Sequence, residues 1–217
     1  MVRVYLAGPD VFLPDPMARG ERLKAVCARH RMVGVFPLDP LDGGDPEQWA
    51  DLPLAERIAR RNEAHILGCD MLVANLTPFR GPSADAGTVF ELGFMRALGR
   101  PVSGWTNVAA GLTERTLAFT GRTTAAERDA DGMALEAFGC VDNLMIDGAI
   151  HASGGALVVA RVTPEARWSD LGAFEACVAR LAALSPQPNV QHQPWQINVS
   201  CNTSEKRLTG TLPTKEL

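Results

Sequence analysis

No stretch of this 217-residue sequence is apolar for long enough to span a membrane, which takes about 20 residues. Nor is there an excess of basic charge: 21 Lys and Arg stand against 25 Asp and Glu, for a net charge of -4. That argues against a general nucleic-acid binder, because phosphate contacts need a basic face. Cysteine is sparse and unpatterned. Cys27, Cys69, Cys140, Cys177 and Cys201 are odd in number and form no C-x-x-C pair. This speaks against a zinc site or a disulfide frame and for reduced thiols. His30, His65, His151 and His192 lack metal-ligand spacing, so no metal is expected. There is no GxxxxGK[ST] phosphate loop, no internal repeat and no signal-peptide pattern. The expectation is a cytoplasmic protein without a cofactor, a nucleic-acid partner or a membrane partner.

What is present is an ordinary globular composition, 46% hydrophobic and 21% charged, in a chain long enough for one α/β domain with some surplus. Val2 to Ala7 reads as a strand, ended by Gly8-Pro9-Asp10. Residues 17 to 31 follow as an amphipathic helix, then Met32 to Phe36 as a second strand. Residues 37 to 53 form a long polar loop with four aspartates, and loops of that length in a compact domain are usually functional or disordered. Residues 54 to 68 form a helix with Leu54, Ile58, His65, Ile66 and Leu67 on or near its buried side. Met71 to Ala74 is a short apolar run, the mark of a buried parallel strand. A proline- and glycine-containing loop leads to Asp85, a good N-cap, and to a helix that Pro101 stops. Val102 opens the next strand. Residues 106 to 132 read as a short helix and a surface excursion, and 133 to 147 as two helical pieces around Gly139. Ala156 to Val162 is the expected last strand and Asp170 to Leu184 the last helix. From 185 to 217 the chain turns polar and aperiodic, a tail expected to be flexible or ordered by a neighbouring subunit. The domain is therefore 1 to 184.

Alternating strands and helices predict a flavodoxin-like, Rossmann-like three-layer sandwich with a five-stranded parallel sheet in the order 2-1-3-4-5. Ligands in such sheets sit beyond the carboxyl ends of the strands where the order reverses. For this order the place lies between the first and third strands, beside the loops Gly8 to Pro16 and Asn75 to Ala84. Tyr5, Asp10, Asn62 and Asp85 offer hydrogen-bonding groups at that end, and Gly8 leaves room beside the backbone. Glu91 is the odd residue. It sits inside a helix between Phe90 and Leu92, with Gly87 one turn before it. Pattern alone leaves it either an exposed helix glutamate or a functional carboxylate whose apolar neighbours raise its pKa. Asp85 is likewise either a cap or a ligand. The two carboxylates lie roughly 9 Å apart along a helix, too far to act on one atom but suited to the two ends of a sugar. A carboxylate nucleophile fits substitution at an anomeric carbon.

The run Val4-Tyr5-Leu6-Ala7-Gly8-Pro9-Asp10-Val11-Phe12 resembles the opening of the nucleoside 2-deoxyribosyltransferase family. So do Asn75 to Gly81 and Asp85-Ala86-Gly87-Thr88-Val89-Phe90-Glu91-Leu92-Gly93, while Phe138 to Met145 looks like the family's later motif. The central D-x-G-T-x-x-E-x-G block is the specific part. The resemblance implies exchange of the nucleobase of a 2'-deoxynucleoside for a free nucleobase, with Glu91 as nucleophile and Tyr5 orienting it. Asp85 would bind the 5'-hydroxyl. Asn143 would reach the same hydroxyl from a neighbouring subunit, so a homo-oligomer is implied. Asn62 falls where some members carry an aspartate facing the base. Gly8, Asp10, Phe12 and Gly87 complete the expected substrate contacts. The alternatives are an N-glycosidase on nucleosides or nucleoside monophosphates, and a nucleoside-binding protein without turnover.

Overall fold

The structure is a computed structural model and describes residues 1–122 and 127–183. Five parallel strands, β1 (Arg3–Ala7), β2 (Val33–Val35), β3 (Met71–Asn75), β4 (Val102–Thr106) and β5 (Leu157–Val159), form one sheet in the order β2-β1-β3-β4-β5. Register follows from the central pair, where Tyr5 stands beside Leu72 and Ala7 beside Ala74. The helices are α1 (Pro16–Arg29), α2 (Leu54–Leu67), α3 (Ala86–Ala97), α4 (Leu112–Phe119), α5 (Leu144–Ala152) and α6 (Gly172–Ala183). The flavodoxin-like three-layer arrangement is the one expected from the alternation of elements. Among the described residues no helix is long and apolar enough to cross a membrane.

Side chains alternate across the strands, so each strand feeds two cores. Val4 and Leu6 of β1 pack on one face with Leu23 and Val26 of α1 and Phe174 and Val178 of α6. Cys27 and Cys177 belong to this core, and burial pushes each thiol up to about 12. Tyr5 and Ala7 point to the other face, with Ile66 of α2, Leu92 and Met95 of α3 and Ile146 and Ile150 of α5. This two-residue period places the Tyr5 ring on the same side of the sheet as α3.

Two readings of the sequence change. Leu54, Ile58 and Leu67 of α2 are exposed by 64%, 44% and 53%, whereas His65 and Ile66 are buried. Only a narrow stripe of α2 meets the sheet; Leu54 and Leu67 face outward on this chain and Ile58 borders a cleft. Residues 133 to 142 are not helical. They follow an irregular path with Gly139 at φ 72°, held by side-chain bonds such as Met133 N to Asp129 Oδ1 at 2.9 Å. A single helix then begins at Leu144, capped by Asn143. The tail read at 185 to 217 lies outside the described residues.

Candidate active site

The polypeptide crosses from β3 to α3 through the loop Leu76 to Ala84, and β1 ends in a tight 3-10 turn at Pro9–Phe12. Both leave the carboxyl edge of the sheet at the β1/β3 reversal. Between them opens a cleft of about 310 Å³ lined by Gly8, Val11, Phe12, Pro37, Leu38, Ile58, Asn62, Asp85, Gly87, Thr88 and Glu91. The polar members, Asn62, Asp85, Thr88 and Glu91, come from α2 and from the first two turns of α3 with its cap.

Glu91 lies in the second turn of α3 and faces Tyr5 across the layer. The Tyr5 hydroxyl donates to Glu91 Oε1 at 2.7 Å, and Asn62 Nδ2 donates to the same oxygen at 3.3 Å. Both of these bonds fall on Oε1, and neither uses Oε2. Burial pushes the Glu91 carboxyl up to about 7, and the charge of Asp85 adds to this; the bonds from Tyr5 and Asn62 oppose it. Tyr5 is fully buried, so its hydroxyl stays protonated and remains a donor. Asn62 sits on α2 one turn after Ile58, and the two face the cleft together because positions i and i+4 share a side of a helix.

Asp85 caps α3. Its Oδ2 accepts from Thr88 N at 3.0 Å and from Thr88 Oγ1 at 3.1 Å, and neither bond uses Oδ1. Each carboxylate thus has one oxygen anchored by these bonds and one not used by them. Gly87 stands beside Asp85: a Cβ added there would come within 3.1 Å of Asp85 Oδ2, so a side chain would crowd the cap. Gly8 lines the cleft, but its missing side chain serves packing. A Cβ there would meet Asp10 Oδ2 at 2.6 Å and Asn75 Cβ at 2.7 Å.

Asp10 does not join the cleft, a correction to its expected substrate contact. It is 3% exposed, and Arg19 Nε and Asn75 Nδ2 occupy its two oxygens at 2.7 Å and 2.8 Å. This triad ties the turn after β1 to α1 and to the end of β3. Asn143 also lies outside the lining of its own chain's cleft. Its Oδ1 accepts from Met145 N at 3.0 Å and its Nδ2 donates to Glu136 Oε2 at 2.7 Å.

Two residues that sequence reasoning left without a role support the site from behind. Asp142, fully buried, bonds Ser83 Oγ and accepts from Ala84 N at 3.0 Å, and Arg115 Nη2 meets it at 2.9 Å. Arg115 Nε also reaches Pro82 O at 2.6 Å. Together they fix the backbone that delivers Asp85. Asp142 was visible as a neighbour of Asn143, but its partners are 58 and 27 residues away, and no local pattern reports them.

The fold and cleft define a flavodoxin-like α/β protein with a buried glutamate and a capping aspartate in its switch-point crevice. The model of the nucleoside 2-deoxyribosyltransferase family matches residues 4–145. An uncharacterized protein of Schizosaccharomyces pombe is 30% identical over 203 residues, covering 87% of this chain and 91% of its own. Among solved structures, a 2-deoxyribosyltransferase from Leishmania mexicana aligns with a TM-score of 0.54 at 28% identity, over 79% of this chain and 97% of that one. The chain belongs to the nucleoside 2-deoxyribosyltransferase family. Membership implies a glycosyl-transferring or glycosidase enzyme acting on nucleosides.

Proposed function

We propose that this protein is a nucleoside 2-deoxyribosyltransferase whose nucleophile is Glu91. The observation that carries the reading is the shared bonding of Tyr5 and Asn62 to one oxygen of Glu91, inside a cleft whose other carboxylate is Asp85. The free oxygen of Glu91 attacks C1' of the bound deoxynucleoside. The C1'–N bond breaks, its electron pair leaves with the base, and a deoxyribosyl ester forms with inversion. Among the described residues Asp85 and Glu91 are the only acids lining the cleft; the departing base takes its proton from water, and the incoming base gives its own back to water. A second base then attacks C1', returns the electron pair to Glu91 and gives net retention. Asp85 holds the sugar's 5'-hydroxyl and by its charge disfavours a 5'-phosphate. Gly8 and Phe12 line the base end, and Gly87 keeps the start of α3 open. The catalytic unit is residues 1 to 184, acting as a homo-oligomer in the cytoplasm with Asn143 supplied to the 5'-hydroxyl of a neighbouring site.

The test has two parts. Mixing a deoxynucleoside with a second base should yield the exchanged deoxynucleoside. Incubation with a 2'-fluoro deoxynucleoside should leave a sugar adduct on the peptide containing Glu91 by mass spectrometry. Release of free deoxyribose without exchange would make the protein a hydrolase. Absence of any product, with ligand binding that survives Glu91→Ala, would make it a binding protein.

A further inference from the structure

Phe12 is shared by two clefts. One is the acidic cleft of Glu91 and Asp85. The other, of about 390 Å³, is walled by Leu13, Phe79, Arg80, Arg167 and Trp168 and has no acidic residue in its lining. Its aromatic groups form a connected set. The Phe12 and Phe79 rings stack with centroids 5.3 Å apart and planes 12° apart, and Trp168 meets Phe79 edge-on at 6.2 Å. The Arg80 guanidinium lies over both rings, 5.0 Å from the Phe12 centroid and 4.6 Å from that of Phe79.

Arg19, Arg29, Arg60, Arg61 and Arg115 each meet a carboxylate. Among the described residues, the guanidiniums of Arg80 and Arg167 meet none and make no hydrogen bond. In a protein of net charge -4, a cleft with two uncompensated cations and no acid is a local reversal of sign. Arg80 also has φ 57°, a left-handed backbone that residues with side chains rarely adopt and that concentrates at functional positions.

We propose that this second cleft binds an aromatic anion of the nucleotide class, at a site separate from the acidic cleft and touching it through Phe12. The rings offer faces and edges to a base, and two guanidiniums suit a phosphate dianion, which they can grip with paired N–H donors. The volume exceeds what a bare phosphate needs. The neighbouring cleft, with Asp85 and Glu91, repels the same phosphate, so the two clefts sort nucleosides from nucleotides by charge. A ligand held on Arg80 and Phe79 steadies the Phe12 ring and thereby one wall of the acidic cleft.

Calorimetric titration of the full chain with 2'-deoxyadenosine 5'-monophosphate tests this without relying on turnover, so it stands apart from the test of base transfer. Saturable binding is expected, weakened at least tenfold in the double variant Arg80→Met, Arg167→Met and unchanged within twofold in Asp85→Ser and in Glu91→Gln. A melting temperature for the double variant within a few degrees of wild type excludes a folding cause; if it falls further, the single variant Arg167→Met is used, with at least a threefold loss expected. Absence of binding, or binding indifferent to both arginines, overturns the proposal. So does tightening in Asp85→Ser, which puts the nucleotide in the acidic cleft. Equal affinity for inorganic phosphate would reduce the site to an anion patch and overturn the aromatic part.

Discussion

Replacing Glu91 by Gln should make the protein more stable at alkaline pH while removing its activity. In an unfolded chain the Glu91 carboxyl has its ordinary pKa of 4.5, and in the native state burial, with help from Asp85, pushes it up to about 7. Between these values the folded protein holds a proton that the unfolded chain has released. Native stability therefore falls as pH rises through this window, by about 1.4 kcal/mol per unit, and the full loss is about 3 kcal/mol once the folded carboxyl is ionised. Below pH 4.5 both states are protonated and nothing is lost. Glutamine is neutral throughout, and its amide oxygen can accept from Tyr5 and Asn62 as Oε1 does. The variant should match wild type near pH 4.5 and exceed it near pH 8.5, by about 6 to 12 °C in melting temperature for a domain of this size. The measurement is a pair of thermal or urea melts at half-unit steps of pH. Taking the difference between the two proteins cancels every other titrating group. A flat difference, or a Glu91→Gln protein that is less stable at pH 8.5, would refute the argument that burial of this carboxylate sets its pKa.

Other outcomes follow from the same geometry. The acid limb of the kcat/KM profile for base exchange should fall near pH 7, because the nucleophile must be ionised. Tyr5→Phe removes the stronger bond to ionised Glu91, so this limb should move up by about one unit and neutral-pH activity should drop about fivefold, with recovery at higher pH; an unmoved limb would show that the hydroxyl does not tune the carboxylate. Asp10→Ala leaves Arg19 buried without its partner and should cost about 3–5 kcal/mol in a urea melt, while activity per folded molecule stays within a few-fold. A large loss of kcat without loss of stability would return Asp10 to the chemistry. Asp142→Asn weakens the hold on Ser83 and Ala84. It should raise KM for deoxynucleosides several-fold but leave KM for 5'-deoxy analogues, which have no hydroxyl to meet Asp85, nearly unchanged.

The sheet order and the switch-point cleft were legible because they rest on signals that survive in one dimension. Apolar runs of strand length, a proline-bounded loop and the Asp85 cap each act over a few residues. The role of Glu91 was open from pattern, since an intrahelical glutamate looks the same whether it faces water or Tyr5, 86 residues away. What failed to show was long-range pairing. Asp10 looked like a free acid at the sheet edge because the sequence does not say that Arg19 and Asn75 take up both its oxygens. The apolar residues of α2 met the helical period, but period alone does not separate a face against the sheet from one that borders the cleft or the outside, as Ile58 does. The path from 133 to 142 was misread as helical because its conformation depends on Asp129, Glu136 and a left-handed Gly139 rather than on composition.

The cap at the start of α3 has a consequence for how such a protein can change. The fold needs from position 85 only an oxygen that accepts from Thr88, and Ser, Thr and Asn meet that need about as well as Asp. The charge at this position is therefore almost free of folding constraint, although it lines the same cleft as Glu91. Substitution to serine would keep the helix start, withdraw the repulsion felt by a 5'-phosphate and relax the upward push on Glu91 in one step. A single codon at a structurally permissive site can thus alter both what is admitted and the pH at which it is processed, which makes position 85 a natural point of divergence among proteins built on this frame.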